Sequence, residues 1–358
     1  MHDEPAYPSW ADTTSLDQAF ARIAQALLEY RAEFLFGSGM SQGSGLPTGP
    51  QLARTFIKKY FPAPTDPLSE DEITTLSTLY PFEAIASAIG EIGTGRRDLT
   101  ELLKSELLKS ANLTAAHELL STLCLWEGRP HVKRIFTTNF DKLLEQQFGR
   151  WGETIHRGNF VVMRDVEREG RVPIIHLHGV LDADYDITEE DTFRSAYDPL
   201  HAAFRSALSE ADAFVFVGYS MSDPDFRSLY MRFRDDVQGR ALAMRNGGST
   251  TYRNGGSTTY IVSPCENERA FDLGRNVWRR RGATWIPLGA AEFFKKLRIF
   301  VEHLAGQKMF ALLAEKYSES DLGRLRQRAT HLAEVLLVSE DDALQFLHEA
   351  RSRSGSVV

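Results

Sequence analysis

Six apolar runs of only four to six residues, Glu33–Phe36, Val132–Thr137, Val172–Leu177, Phe214–Val217, Thr259–Val262 and Thr284–Pro287, constrain this chain more than any other feature. Each is too short for a helix that crosses a core, and most are separated by stretches with helical spacing, such as Asp141–Phe148 and Pro199–Leu208. Strands that are apolar on both faces belong inside a mostly parallel sheet, because the helices connecting parallel strands cover both of its faces. The pattern therefore predicts an α/β fold whose sheet carries helices on both sides.

Around that sheet the spacing predicts further elements. Leu16, Phe20, Ile23, Ala24, Leu27 and Leu28 recur at helical intervals over Ser15–Arg31, with Thr13 and Thr14 as cap candidates, and a second helix is expected after Pro50. From Ser69 to about Trp126 the periodicity is helical throughout, broken by a turn at Gly93, which predicts a helical insertion over residues 68–128. Beyond Gly289 come four more helical stretches, Glu292–Leu304, Lys308–Tyr317, Asp321–Leu337 and Asp341–Arg351. The expected division is one domain over residues 1–290 and a C-terminal helical module over 291–358. An octapeptide, Arg-Asn-Gly-Gly-Ser-Thr-Thr-Tyr, occurs twice in tandem from Arg245 to Tyr260. Two copies are too few for a solenoid, so the repeat reads as a duplicated loop that leads into a strand.

Composition narrows the function. Lys and Arg total 41 against 49 Asp and Glu, a net charge of −8, so the chain lacks the broad positive surface that non-specific nucleic-acid binding needs. No run approaches the ~18 apolar residues that span a bilayer, and Met1–Trp10 lacks the basic-then-apolar order of an export signal. The two cysteines, Cys124 and Cys265, form no Cys-x-x-Cys pair for a structural zinc site. A reducing, cytoplasmic setting is expected, with no direct nucleic-acid or membrane partner.

The candidate chemistry sits at strand ends. Glu33–Phe36 runs into Gly37-Ser-Gly-Met-Ser41 and on through Gly45 toward a helix, an arrangement in which main-chain N–H groups can cradle a pyrophosphate and which marks the sheet as Rossmann-like. Val132–Thr137 ends at Thr137-Thr-Asn-Phe-Asp141, Val172–Leu177 at His176-Leu-His-Gly179, and Phe214–Val217 at Gly218-Tyr-Ser220. Open α/β sheets bind ligands in the crevice beyond the carboxyl ends of their strands, where all these clusters lie.

In this order the motifs resemble the SIR2-like, sirtuin-related family, in particular its prokaryotic branch of NAD-consuming anti-phage effectors, over roughly residues 30–290. The resemblance implies that Gly37, Gly39 and Ser41 meet the pyrophosphate of NAD and that Thr138, Gly218, Ser220 and Ser263 complete the nucleotide contacts. It also implies that the domain over residues 1–290 binds NAD as a substrate. The zinc-ribbon cysteines of protein-deacylating sirtuins are missing, and Gly45-Leu-Pro-Thr-Gly49 lacks the Asp-Phe-Arg that follows in them. The implied activity is accordingly NAD hydrolysis to nicotinamide and ADP-ribose. A non-enzymatic sensor of NAD or an ADP-ribose-type nucleotide is the alternative, and an NAD-dependent protein deacylase a third. Implied partners are further copies of the chain or an activating protein encoded nearby, such as an ATPase, an Argonaute-like protein or a nucleotide-processing protein.

Breaking the nicotinamide–ribose bond builds positive charge at ribose C1′, so the site needs a group that orients the ribose and a base for the incoming water. Asn139 can hold ribose or water, His178 can serve as base because an imidazole titrates near working pH, and Asp141 suits the nicotinamide carboxamide. Taken without their neighbours, Asn139 and Asp141 are also an N-cap pair for the helix that follows. His176 and His178 share a strand face, but no third ligand cluster accompanies them, so no metal is expected and the second histidine is read as structural. Arg275, Arg279, Arg280 and Arg281 beside Trp278 read as a solvated helix face. The leucine stripe Leu322, Leu325, Leu332, Leu336 and Leu337 reads as the core of the tail module or as an assembly surface.

Overall fold

The computed structural model describes residues 7–9, 11–61, 67–92, 95–107, 109, 111–126, 129–183, 185–188, 191, 198–219, 230–231, 258–265 and 267–316. Ser220, most of the tandem repeat and the leucine stripe of the tail lie outside the described residues.

The strands in chain order are β1 (Ala32–Phe36), β2 (Leu125–Trp126), β3 (Arg129–Pro130), β4 (Ile135–Thr137), β5 (Gly152–Ile155), β6 (Val172–His176), β7 (Ala213–Val217), β8 (Thr258–Val262) and β9 (Ala283–Ile286). Seven of them form one sheet in the order β5-β6-β4-β1-β7-β8-β9, every pairing parallel, while β2 and β3 make a separate antiparallel ribbon. The α/β expectation holds, and each of the six apolar runs falls on a strand. The end of the second octapeptide copy, Thr258–Tyr260, opens β8.

Both faces of the sheet are buried because strand side chains alternate between them. Phe34 and Phe36 of β1 with Val215 and Val217 of β7 enter one core, and Leu35 with Phe214 and Phe216 enter the other. The first core is covered by α1 (Thr13–Leu28), by α6 (Ala115–Cys124) and by a long helix, Ala290–Lys316. The second is covered chiefly by helices Met163–Arg168 and Pro199–Glu210. At the start of α1 the cap is Asp12, whose carboxylate accepts the Ser15 N–H at 3.2 Å, rather than Thr13 or Thr14.

The structure departs from two expectations and adds one strand. The stretch Glu292–Leu304 and the next one as far as Lys316, its last described residue, form one continuous helix, and Phe293, Phe294, Leu297 and Val301 bury their side chains beside Phe20, Phe34 and Phe36. The first core therefore continues past residue 290 instead of ending there. The helical insertion is also drawn differently: α2 (Gly49–Tyr60), α3 (Glu70–Leu79), α4 (Phe82–Gly90) and α5 (Arg96–Leu107) share a third core around Phe56, Ile85, Ile89 and Leu103, whereas α6 packs on the sheet. Finally, β5 was not anticipated. Gly-Glu-Thr-Ile is no apolar run, because on this edge strand Gly152, Glu153 and Thr154 are only partly buried and Ile155 alone is fully so.

At the opposite end of the sheet from the strand-end motifs, Glu33 of β1 is buried against Arg134, whose Nε donates to Glu33 Oε1 at 3.1 Å while its Nη2 reaches Glu210 at 3.2 Å. Burial pushes the Glu33 carboxyl up from 4.5 to about 7, outweighing the guanidinium beside it. A folded pKa above the unfolded one means that the stabilisation is present in full below pH 4.5 and is lost as pH rises through about 7. The stability of the wild type relative to Glu33→Gln is thus expected to fall across that window, by on the order of 2–3 kcal/mol, as read from urea midpoints at a series of pH values.

Candidate functional site

The chain leaves β1 toward β4 on one side and leaves β7 toward β8 on the other, so the carboxyl ends of β1 and β7 flank the switch point at which open α/β sheets form a crevice. The turn after β1 is a short 3-10 segment, Ser38–Ser41, docked on the turn after β7. Gly37 N–H donates to Val217 O at 3.0 Å and Gly39 N–H to Gly218 O at 2.9 Å. The two backbones touch so closely that a Cβ on Gly218 would lie 2.5 Å from Gly39 C and Met40 N, and one on Gly39 would lie 2.7 Å from Gly218 Cα. Gly218 also has φ +63, in the left-handed region. The glycines at this place join two strand ends, whatever they do for a ligand. Gly218→Ala is expected to destabilise by about 2–4 kcal/mol, visible as a lower urea midpoint, through left-handed strain plus the backbone clash.

The end of β4 is tied into the same corner. Thr138 N–H and Thr137 Oγ1 donate to Phe36 O at 3.0 and 3.1 Å, and Asn139 N–H donates to Thr137 Oγ1 at 3.0 Å. Asn139 Nδ2 donates to Ser41 Oγ at 3.2 Å, and Ser41 Oγ donates to Asp141 Oδ2 at 3.0 Å. Asp141 Oδ1 in turn accepts Leu143 N–H at 3.1 Å at the start of α7 (Leu143–Phe148), whose N-cap position is Lys142 rather than Asn139 or Asp141, so this side chain ties the helix start to the strand end. Burial raises the Asp141 carboxyl above the usual range despite the Leu143 and Ser41 donors.

The two histidines are placed differently. His176 is fully buried, with Nδ1 2.8 Å from Asn139 O and Nε2 2.7 Å from Glu145 Oε1. Burial disfavours its charged form, yet the Glu145 carboxylate and the Asn139 carbonyl together raise its pKa. His176 thus anchors the main chain of Asn139. His178, two residues on, lines the cavity. Among the described residues, no three His, Cys, Asp or Glu side chains group as a metal site.

That cavity, of about 390 Å³, lies beyond the strand ends and has two walls. Ser38, Ser41, Thr138, Asn139, Asp141, His178 and Gly218 form the sheet side, and the α3–α4 corner, Ser77–Glu83, with Pro50, Leu52 and Ala53 of α2, forms the other. The volume is that of a small-molecule site. Among its described lining residues are three carboxylates, Glu83, Asp141 and Asp186, and neither Lys nor Arg. Such a wall suits a cation.

Of the residues singled out from sequence, Ser41, Thr138, Asn139, Asp141, His178 and Gly218 share this cavity. Gly37 and Gly39 stand behind it, packed on Gly218 and Tyr219. Ser263 stands apart at the end of β8, where its Oγ and carbonyl oxygen accept Trp285 Nε1–H at 3.0 and 3.1 Å. Asp186 escaped the sequence reading: it sits in a loop after His178 with no motif around it, and only its acidic type was a signal.

No curated relative matches the chain in sequence. Solved structures that resemble it include one from work on the mechanism and regulation of Sir2 enzymes, at 18% identity and a TM-score of 0.41, covering 80% of this chain and 99% of that one. Another is a Sir2 homologue in complex with NAD, at 15% identity and a TM-score of 0.39, covering 79% and 93%. A third is a Sir2 homologue variant in complex with ADP-ribose, at 16% identity and a TM-score of 0.41, covering 81% and 97%. Residues 133–265, which run from just before β4 to just after β8 and take in Asn139, Asp141, His178, Asp186 and Gly218, match the family described as the SIR2-like domain.

Proposed function

We propose that this protein is an NAD glycohydrolase that cleaves the nicotinamide–ribose bond to give nicotinamide and ADP-ribose. The observation that carries this reading is one cavity holding Asn139, Asp141 and His178 beside the docked glycine turns, with carboxylates and no Lys or Arg among its described lining residues. The reactive half of NAD is a cationic pyridinium on a ribose, and the SIR2-like match spans the strands that carry these side chains.

In the reaction the C1′–N bond breaks heterolytically and its electron pair goes to the nicotinamide nitrogen, which neutralises the ring. Positive charge passes to the ribose as an oxocarbenium ion. Asn139, held from behind through its carbonyl by His176, orients the ribose or the water. Water attacks C1′ and His178 takes its proton, which is later released to solvent, so that NAD and water yield nicotinamide, ADP-ribose and one proton. Asp141, fixed by Ser41 and Leu143, faces the nicotinamide carboxamide. Ser41, Thr138, Gly218 and Ser220 belong to the nucleotide side of the site, with Gly37 and Gly39 shaping the turn.

An unrestrained NAD hydrolase depletes the cell that makes it. The biological role we assign is therefore an anti-phage defence effector, kept silent until assembly or a partner protein encoded nearby reorganises the site. The test is to incubate the purified chain with NAD, alone and with the products of its neighbouring genes, and to measure free nicotinamide. Release is expected in at least one combination. Binding of NAD or ADP-ribose without release in any of them supports a sensor instead, and acyl transfer from an acyl-lysine peptide supports a deacylase.

A further inference from the structure

Behind the cavity lies a charged cluster that the mechanism above does not use. Asp186 lines the cavity and is 5% exposed. Its main-chain N–H donates to His178 O at 2.8 Å, so the loop that carries it is pinned to the strand end that carries the base. Its Oδ2 accepts Arg157 Nη2 at 2.6 Å. Arg157 Nε bonds a second buried carboxylate, Asp198, whose other oxygen accepts Leu200 N–H at 2.8 Å as the N-cap of helix Pro199–Glu210.

One guanidinium is therefore shared by two carboxylates, and the three side chains carry a net charge of −1. Two of its neighbours leave that charge unchanged. His201, 4% exposed with Nδ1 lacking a hydrogen-bond partner, is held neutral because burial, helped by His178, pushes its pKa down to about 4. Asp191 is matched by Arg96 at 2.9 Å, a pair of zero net charge. Burial raises the Asp186 carboxyl above its ordinary range, while Arg157 and His178 favour its ionised form, and Arg205, on the same helix as His201, bears a positive charge near that ring. A desolvated charge of fixed position acts more strongly than one in water, and two carboxylates about one guanidinium leave that charge negative.

We propose that Asp186 is the positioned negative charge of this site, which stabilises the positive charge moving from the pyridinium to the ribose as nicotinamide leaves and so selects NAD over its reduced form, whose ring is neutral. The inference rests on the NAD-cleaving reading of the cavity. No proton or electron moves to Asp186: the bond breaks with its electron pair on the nicotinamide nitrogen, and the carboxylate faces a charge that grows on C1′ and the ring oxygen. Arg157 holds the carboxylate in place, and Asp198 keeps Arg157 from neutralising it.

The test uses full-length protein in a His178→Ala background, so that ligands persist, and calorimetric Kd values for NAD, its reduced form and ADP-ribose. Asp186→Asn, which keeps the shape of the side chain, is expected to weaken NAD about tenfold while the reduced form and ADP-ribose change less than about twofold. With His178 present, Asp186→Asn is expected to lower kcat on the order of a hundredfold, the size of effect that a fixed charge at a developing charge produces. Asp198→Asn lies outside the described cavity lining and retains a good N-cap residue, but it brings the cluster to zero net charge. It is expected to reduce the preference for NAD in the same direction by about threefold, and it carries the test if Asp186→Asn does not fold. A purely structural role predicts equal weakening of all three ligands and overturns the proposal. NAD binding with unchanged preference in both variants also overturns it while leaving the proposed function standing. If the protein without these substitutions binds neither NAD nor ADP-ribose, the NAD-cleaving reading itself falls, and this inference falls with it.

Discussion

Replacing His178 or Asn139 by alanine is expected to lower nicotinamide release by about 10²–10⁴, with little change in melting temperature. His178 lines the cavity rather than filling a core, so its removal opens no large hole. Asn139 loses one side-chain hydrogen bond, to Ser41, which keeps its bond to Asp141, so the cost in stability is about 1 kcal/mol. His176→Ala makes the contrast. It removes a buried ring bonded to Asn139 O and Glu145, and leaves Glu145, one of whose oxygens already lacks a hydrogen-bond partner, buried without its counter-charge. Such a loss costs about 3–5 kcal/mol, so that variant is expected to fail by unfolding. Nicotinamide release measured beside a melting curve separates the two cases. Turnover retained in both Asn139→Ala and His178→Ala would sink the assignment of the catalytic residues.

Phe293→Ala is expected to destabilise by about 3–5 kcal/mol, and the double replacement with Phe294→Ala to leave no folded protein at 37 °C, because domains of ordinary stability have only about 5–15 kcal/mol to lose. Phe293 packs on Phe20 in a tilted arrangement with ring centroids 5.4 Å apart, and Phe294 lies 6.2 Å from both Phe34 and Phe36 of the central strand. Both are completely buried. A chain ending at Gly289 is accordingly expected to be insoluble, since it exposes that whole face. A chain ending at Gln307 is expected to fold, because it keeps Phe293 to Val301 and gives up, among described contacts, the Lys308 ammonium at 3.8 Å from Glu29 on the surface. Size-exclusion chromatography with light scattering on the chain ending at Gln307 then reads whether the missing tail serves assembly: loss of oligomers or of response to an activator is the expected result. A soluble, cooperatively melting chain that ends at Gly289 would contradict the packing.

The sheet was legible before any coordinates, because its strands are buried on both faces and continuous apolar runs such as Ala213–Val217 have few other places to go. Its edge was not. Gly152–Ile155 is polar enough to pass for a loop, and only its register on Val172–Ile175 makes it a strand. That the strand-end motifs would meet in one crevice was legible because parallel strands deliver their carboxyl ends to one side, which brings Ser41, Asn139, Asp141 and His178 together however far apart they stand in the chain.

What the amino-acid order determined by itself, then, is periodicity: which segments bury a face, and which polar clusters terminate them. What those faces bury against was decided only in three dimensions. Phe293, Phe294, Leu297 and Val301 make the same helical stripe whether they cover a separate module or the central sheet, and it was the fit against Phe20, Phe34 and Phe36 that chose the sheet. The glycine pair Gly39 and Gly218 likewise looks like phosphate chemistry in the sequence, while the structure shows two backbones in contact. Arg157 opens a short 3-10 helix, Asp186 lies in a loop and Asp198 caps a helix, with no common spacing, and charge placed in this way is invisible to periodicity. Its sign at the cavity follows from a Coulomb sum over side chains that only the tertiary fold brings together.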